Sequence, residues 1–236
     1  MTTDLRIKDF KRIVFFTGAG LSAESGIPTY RGQGGLWHEY DWETYACQKA
    51  FDRDPAAVWK FHNMRRAAVA ACAPNKAHLA IARCEALLPD VTVVTQNIDG
   101  FHPLVGSRNL FELHGSLWRV RCDTCGAIKD NRDLPFEDLR CGKGWWRPDI
   151  VWFGDHLRED VIEGASKAIS ACDLLVSIGT SGVVYPAAQL PRLAQRAGAV
   201  TIEINPEPTP MSDAYEVCLR MGASEAMALL CQGLDV

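Results

Sequence analysis

A short apolar run that leads directly into a glycine-rich turn is the strongest constraint in this sequence. Residues 13–16 read IVFF, and residues 18–23 read Gly-Ala-Gly-Leu-Ser-Ala, which fits the pattern G-x-G-x-x-G/A with alanine in the last place. A strand precedes the turn and a helix can follow it. Small residues allow the backbone to approach a pyrophosphate, and the N–H groups of a helix N-terminus attract its charge. The pattern favours nucleotide binding over an ordinary strand-to-helix turn.

The rest of the chain alternates apolar, strand-like runs with helix-like stretches. This alternation predicts an α/β fold built on a doubly wound parallel sheet. The predicted strands are 13–16, 91–95, 174–178 and 199–204, and the predicted helices are 55–72, 76–88, 157–171, 186–197 and 223–234.

Two regions interrupt the alternation. Residues 115–150 carry a cysteine pair, charges and two adjacent tryptophans with little apolar periodicity, so we interpret them as a small inserted module. Residues 26–54 are irregular and rich in glycine and aromatic residues, which is typical of a mobile cover over a site. We predict one domain over 1–236 with two parts, a large one of about 1–28, 76–114 and 150–236 and a small one of about 29–75 and 115–149.

Composition excludes several classes of protein. Hydrophobic residues make up 47% of the 236 residues, which is enough for a substantial core. The net charge of -4 gives no basic field for nucleic acid. No segment reads as a secretory signal or a membrane span, so we expect a cytoplasmic protein. Most of the nine cysteines lie in apolar surroundings and are expected to be reduced, buried thiols.

The usual dehydrogenase version of the glycine turn does not fit the residues after it. That version needs a second strand that ends in an acidic residue about twenty positions on, which holds the adenosine ribose. The sequence SGIPTYRGQGGLWHEYDW stands there instead, and it does not read as a strand. Either the nucleotide is held differently or it does not transfer a hydride.

Seven ordered blocks of this sequence resemble the sirtuins, which are NAD-dependent protein-lysine deacylases. The resemblance extends over about residues 11–232, and the blocks read GAGLSAESGIPTYRGQGGLW, TQNIDGFH, ELHGSL, RCDTCG, RPDIVWFGD, IGTSGVVYPAA and IEIN. The pattern is most similar to the bacterial and mitochondrial class that also removes acidic acyl groups. The resemblance implies a Rossmann-like part, a small zinc module and a cleft between them that NAD and an acyl-lysine peptide enter from opposite sides.

The resemblance also implies which residues hold NAD. An aromatic residue and an arginine on the cofactor loop, Tyr30 and Arg31, would shield the nicotinamide ribose and hold phosphate. The implied contacts are Gly18, Ala19, Gly20, Ser22, Ala23, Glu24, Tyr30, Arg31, Trp37, Gln96, Asn97, Ile98, Asp99, His114, Gly179, Thr180, Ser181, Asn205, Pro206, Glu207 and Ala223.

A polar block and one histidine are the candidate catalytic residues. Gln96, Asn97 and Asp99 follow the predicted strand 91–95, at the end of a parallel strand where open α/β sheets place ligands, although Asn-x-Asp can also simply shape a turn. His114 precedes a glycine, and imidazole suits proton removal near neutral pH. By resemblance, His114 is the catalytic base and Asn97 and Asp99 contact the ribose and the nicotinamide amide.

The reaction that the resemblance implies is an acyl transfer. The acyl-lysine carbonyl oxygen attacks the anomeric carbon of the nicotinamide ribose, and nicotinamide leaves. His114 helps to deprotonate a ribose hydroxyl, which attacks the acyl carbon, and water completes the transfer. The products would be lysine, nicotinamide and O-acyl-ADP-ribose, and a covering loop would keep water from the reactive carbon.

Two segments and one predicted helix carry the implied substrate contacts. Val151, Trp152, Phe153 and Gly154 would flank the peptide on one side, and Val183 and Tyr185 on the other, although core strand and turn are the alternatives. In the succinyl-accepting class, a tyrosine and an arginine lie three positions apart on one helix face. Here the pair is His62 and Arg65, so Arg65 could bind an acyl carboxylate. For Arg66 a solvated helix face is the alternative.

The cysteine signature of the small module is incomplete. Cys122 and Cys125 have the C-x-x-C spacing of a zinc site, but Cys141 lacks a partner because Gly144 stands where one is needed. Three sulfurs could bind zinc with a water or a borrowed Asp or His. Alternatively the metal has been lost or weakened and Trp145 and Trp146 pack the module, which is the hypothesis we favour from sequence.

Four other functions compete with deacylation. ADP-ribosyl transfer and NAD hydrolysis break the same glycosidic bond, and nicotinamide release without an acyl-lysine peptide would favour them. A non-catalytic NAD sensor is disfavoured by the match at Asn97, Asp99 and His114. A nucleic-acid-binding zinc ribbon is disfavoured by the acidic balance and the incomplete cysteine set.

Overall fold

Two sheets organise this computed structural model, which describes residues 5–30 and 35–234. The strands are β1 (Arg12–Thr17), β2 (Asp90–Thr95), β3 (Leu110–Glu112), β4 (Gly115–Cys122), β5 (Ile128–Asp130), β6 (Trp146–Ile150), β7 (Leu174–Ile178), β8 (Val200–Ile204) and β9 (Val217–Leu219). The larger sheet is parallel with the order β3-β2-β1-β7-β8-β9, so the strand order reverses between β1 and β7. The α/β prediction and its four strands are confirmed, and β1 and β7 form a topological switch point.

Both faces of the large sheet are covered, which explains why its strands are continuously apolar rather than alternating. Phe15 packs into one core with Val93, and the next residue, Phe16, packs into a second core with Val94 on the opposite face. Within the described part of the chain, no helix has the length and apolar character needed to cross a membrane.

Each of the five predicted helices corresponds to an observed helix, with ends that differ by up to five residues, and four short α-helices among the described residues were not predicted. They are α1 (Leu36–Glu39), α2 (Trp42–Tyr45), α3 (Gln48–Arg53), α4 (Pro55–Ala70), α5 (Lys76–Leu87), α6 (Phe101–Leu104), α7 (Glu159–Ala171), α8 (Pro191–Arg196) and α9 (Ala223–Leu230). The helix predicted from residue 186 begins as a 3-10 turn, and α8 starts only at Pro191, because proline suits the first helical position. The three short helices α1 to α3 occupy a region that we predicted to be irregular.

The element after the glycine turn also differs from the prediction. Residues Ala19–Ser25 form a 3-10 helix that ends at Gly26, whose φ of 89° is left-handed. A seven-residue 3-10 helix lacks the long stack of aligned peptide dipoles that an α-helix provides. Any anion bound here would therefore be held by individual N–H groups more than by a helix dipole.

The smaller sheet is antiparallel with the order β5-β4-β6, and α4 packs against it. The indole N–H of Trp59 donates to the carbonyl oxygen of Trp146 at 2.5 Å. Arg66 is fully buried, and it donates to the carbonyl oxygen and side-chain oxygen of Asn131 at 2.7 and 2.6 Å. The alternative of a solvated helix face is therefore wrong for Arg66, which links α4 to the small module.

Three histidines are buried in this fold in their neutral form. His62, His78 and His102 are each at most 3% exposed. Burial lowers the pKa of His62 and His102 to about 3 and that of His78 to about 4. Because an unfolded histidine titrates near 6.5, the unfolded chain binds more protons than the folded chain below that pH.

These histidines predict that acid destabilises the protein well above the carboxylate range. The stability due to each neutral histidine is complete above pH 6.5 and is lost as the pH falls toward the lowered pKa. Each should reduce the free energy of unfolding by about 2 kcal/mol between pH 7 and pH 5. In urea unfolding at both pH values, His102→Asn should lower that pH-dependent loss by about this amount. The exposed His156→Asn is the matched control; an equal effect of both variants would contradict the assignment.

Candidate active site

Two glycine turns interlock at the switch point of the large sheet. The N–H of Gly20 donates to the carbonyl oxygen of Gly179 at 2.9 Å, and the N–H of Gly18 donates to Ile178 at 2.9 Å. A Cβ added at Gly20 would lie 2.6 Å from the Cα of Gly179, and one added at Gly18 would lie 2.8 Å from its oxygen. These glycines are therefore required by the contact between the two turns, in addition to any approach of a ligand.

A buried polar cluster lies at the carboxyl ends of β1 and β2. The hydroxyl of Ser22 donates to Asp99 at 2.7 Å, and the amide of Asn97 donates to the carbonyl oxygen of Gly18 at 3.0 Å. Burial raises the pKa of Asp99, although hydrogen bonds from Phe101 N–H and Ser22 oppose this rise. The cluster opens into a cavity lined by Ala19, Ser22, Ile27, Pro28, Tyr30, Arg65, Val69, Asn97, Ile98, Asp99 and Leu117.

Two histidines that sequence reasoning passed over lie directly beneath this cluster. The Nε2 of His78 is 3.5 Å from the hydroxyl of Ser22, and the Nε2 of His102 is 3.0 Å from the hydroxyl of Thr17. The two imidazole centroids are 5.2 Å apart. One local signal could have identified His78, because it occupies the third position of a helix capped by Asn75 and completes a capping box.

His114 lies between β3 and β4, beside the end of β2. Its Nδ1 is 3.0 Å from the carbonyl oxygen of Gln96. Because a carbonyl oxygen can only accept a hydrogen bond, Nδ1 carries the proton in the neutral ring and Nε2 carries the basic lone pair. Gly115 follows with a left-handed φ of 77°, and a Cβ there would lie 2.1 Å from the carbonyl oxygen of Asp149. Local backbone constraints thus explain why a glycine follows His114.

The predicted peptide segment is held by the same strand end. The N–H of Val151 donates to the carbonyl oxygen of His114 at 2.9 Å. Trp152 is buried, with the guanidinium of Arg147 3.7 Å from its ring centroid, so its ring packs in the interior of the small module. Gly154 is exposed at the end of the segment, and Phe153 is half-buried.

The second predicted peptide segment follows β7. Gly179, Thr180 and Ser181 lie at the carboxyl end of that strand. Beyond them Val183 and Tyr185 have 42% and 66% of their surfaces exposed. Apolar side chains this accessible are the ones in this loop that a peptide could cover.

The predicted acyl pair differs in charge between its two members. His62 stacks on Trp152 with ring centroids 5.9 Å apart, and burial together with the Arg65 cation keeps its pKa near 3. A protonated His62 is therefore excluded at neutral pH. Arg65 is 6% exposed, lines the cavity and donates to the hydroxyl of Tyr30 at 3.3 Å.

A third strand end is tied to the interlocked turns. The amide of Asn205, after β8, donates to the carbonyl oxygen of Thr180 at 2.9 Å. Beside it, the buried Glu203 accepts hydrogen bonds of 2.6 Å from Ser212 and Arg220. Burial opposes ionisation of Glu203, but its hydrogen bonds and the Arg220 cation together lower its pKa. This long-range network was not visible in the sequence.

Four further predicted cofactor residues lie at different places in the structure or outside its described part. Trp37 packs near Tyr30, with ring centroids 5.7 Å apart, and Glu24 accepts a hydrogen bond from the N–H of Ser224 at 3.1 Å. Ala223 is buried in the core under the sheet. Arg31 lies outside the described residues, so its contact with phosphate stays a prediction.

The three cysteines of the small module converge. The sulfur atoms of Cys122, Cys125 and Cys141 all lie within 4.8 Å of one another. The N–H of Cys125 donates to the sulfur of Cys122 at 3.4 Å, as expected where backbone amides support metal-bound thiolates. Three convergent sulfurs fit a structural zinc ion, which would cross-link the two loops of the module. The geometry therefore favours a zinc site over our hypothesis of metal loss.

Comparison with known proteins agrees with this arrangement. Residues 18–186 match the profile described as the Sir2 family. The chain is 45% identical over 226 residues to NAD-dependent protein deacylase 2 of Pyrobaculum aerophilum, covering 94% of this chain and 90% of that protein. It is also 42% identical to NAD-dependent protein deacylase sirtuin-5, mitochondrial, of Xenopus tropicalis, covering 87% of this chain and 76% of that protein.

Among solved structures, one described as a Sir2 homolog–NAD complex superimposes with a TM-score of 0.89. Its sequence is 41% identical, and the match covers 96% of this chain and 90% of that one. The family profile matches residues 18–186, the solved structure matches nearly the whole length, and the chain belongs to the Sir2 family.

Proposed function

We propose that this Sir2 family enzyme, an NAD-dependent protein deacylase, transfers the acyl group of an acyl-lysine to ADP-ribose and releases nicotinamide and free lysine. The observation that carries the proposal is the convergence of Ser22, Asn97 and Asp99 on one cavity at the switch point, with the imidazole of His114 held through Nδ1 against the carbonyl oxygen of Gln96 at the end of β2. Bound NAD would supply an anomeric carbon with nicotinamide as its leaving group.

The polar cluster fits the amide and hydroxyl groups of such a ligand. Asp99 and Asn97 present a carboxylate and an amide that are both buried in the cavity wall, and these groups can bind a carboxamide and a ribose. In this proposal His114 accepts a proton from a ribose hydroxyl at Nε2. Donation from Nδ1 to Gln96 keeps the ring in the required tautomer.

Arg65 supports removal of acidic acyl groups as well as acetyl. It is a buried cation on the cavity wall, and no carboxylate of the described residues lies within ion-pair distance of it. A buried guanidinium without a carboxylate partner can donate a charge-assisted, bidentate pair of hydrogen bonds to the carboxylate of a succinyl group. Neutral His62 cannot share that charge, so Arg65 carries the selectivity.

The two cores that flank the large sheet, and the separate core of the small sheet, support a division of the chain. We assign the large part to about 1–28, 76–114 and 150–236, and the small part to about 29–75 and 115–149. All nine cysteines are free, which fits a reducing compartment, and we propose the cytoplasm.

Replacement of His114 separates chemistry from binding. His114→Ala removes the proposed base, so kcat for an acetyl-lysine peptide should fall by about 10³-fold or more. The affinity for NAD, measured by calorimetry, should change by less than about threefold, because the base contributes mainly after binding. His156→Ala is the exposed control. Turnover of His114→Ala at a rate near that of the unmodified enzyme would contradict the role.

Replacement of Arg65 tests acyl selectivity. Arg65→Met keeps a long, unbranched side chain and removes the charge, so kcat/KM for a succinyl-lysine peptide should fall by about 100-fold. For the matching acetyl-lysine peptide, kcat/KM should fall by at most several-fold, because acetyl carries no charge. Lys60→Met, on an exposed position of the same helix, is the control. Equal losses for both peptides would remove the selectivity role but leave the deacylase assignment in place.

A further inference from the structure

The second loop of the cysteine module has the backbone of a metal-binding turn but lacks its second thiol. In residues 122–125, the N–H of Cys125 donates to the sulfur of Cys122 at 3.4 Å. Residues 141–144 repeat this bond, because the N–H of Gly144 donates to the sulfur of Cys141 at 3.3 Å. The two turns therefore have the same hydrogen bond, and only the fourth side chain is missing.

The space beside Gly144 is filled by two side chains of the first loop. A Cβ added at Gly144 would lie 2.2 Å from Oδ1 of Asp123 and 2.1 Å from Oγ1 of Thr124. A carboxylate oxygen thus stands where the side chain of a fourth cysteine would begin. A cysteine could not be added at Gly144 without displacing that carboxylate or its neighbour.

The Asp123 carboxylate is held in place beside the sulfur cluster. Its Oδ1 accepts hydrogen bonds from the N–H of Trp145 at 2.8 Å and the hydroxyl of Thr124 at 2.9 Å. The same oxygen is 4.0 Å from the sulfur of Cys122. In a tetrahedral site with Zn–S near 2.3 Å and Zn–O near 2.0 Å, a ligand oxygen and sulfur are about 3.5 Å apart. The separation from Cys122 exceeds this value by about 0.5 Å. The carboxylate lies outside the group of sulfur atoms that are within 4.8 Å of one another, so ligation requires it to move toward the other two sulfurs when the metal binds.

We propose that the carboxylate of Asp123 is the fourth ligand of a structural zinc ion held by Cys122, Cys125 and Cys141. Aspartate is an accepted zinc ligand, and three thiolates with one carboxylate carry the same total charge as four thiolates. The hydrogen bonds from Trp145 and Thr124 orient this ligand, as outer-shell groups commonly do. Asp123 thereby replaces the cysteine that position 144 lacks.

Metal affinity tests this proposal without reference to deacylase activity. The unmodified protein should contain about one zinc per chain by elemental analysis. Competition with a chromophoric chelator should show that Asp123→Asn lowers zinc affinity by at least about 10-fold. Asparagine keeps the acceptor for Trp145 and Thr124 but is a poor zinc ligand, so the variant isolates the carboxylate. Asp138→Asn, an exposed carboxylate of the same module, should leave the affinity unchanged.

A triple variant tests the spatial replacement. Asp123→Ala and Thr124→Gly remove both side chains that a Cβ at position 144 would meet, and Gly144→Cys supplies a fourth thiol, so the zinc affinity of this variant should return at least to that of the unmodified protein. With Co²⁺ in place of zinc, its sulfur-to-metal absorption should rise relative to the unmodified protein, as expected for four thiolates in place of three. Unmodified protein without zinc would overturn the proposal. So would unmodified affinity in Asp123→Asn, because water would then be the fourth ligand.

Discussion

The structure depends on the contact between two glycine turns at the carboxyl ends of β1 and β7. Because Gly20 donates to Gly179 with no room for a Cβ between them, the strand ends on either side of the switch point are fixed relative to each other. The amide of Asn205 extends this contact to β8 through Thr180. Three strand ends thus form one rigid edge, and a rigid edge is what allows side chains from distant parts of the sequence to bind one ligand in a defined geometry.

Burial sets the electrostatics of this edge. His78 and His102 are kept neutral beneath the turn, and burial raises the pKa of the Asp99 carboxyl above its usual range. Arg65 adds a buried cation to the cavity wall. In the proposed reaction, such an environment excludes water from a reactive glycosidic carbon, and it leaves one charge available to distinguish acidic from neutral acyl groups.

Sequence patterns predicted the large sheet well because parallel strands buried on both faces are continuously apolar, as in β1 and β7. They predicted the glycine turn but not the 3-10 helix after it. The partners of His78 and Glu203 are fixed by packing between distant segments, and a lone histidine or glutamate has no local pattern that reveals such contacts. Most candidate site residues were predicted from resemblance to a family. The residue types of His62 and Arg66, a histidine and an arginine, gave no indication that both side chains are buried.

Product analysis tests the central claim most directly, that cleavage of NAD is coupled to capture of an acyl group. The purified enzyme would be incubated with NAD and an acetyl-lysine peptide, quenched at early times and analysed by mass spectrometry. We predict nicotinamide, deacylated peptide and O-acetyl-ADP-ribose in equal amounts, with little nicotinamide release when the peptide is omitted. Nicotinamide and unesterified ADP-ribose at the earliest times, with the peptide still acetylated, would contradict the account and indicate NAD hydrolysis instead.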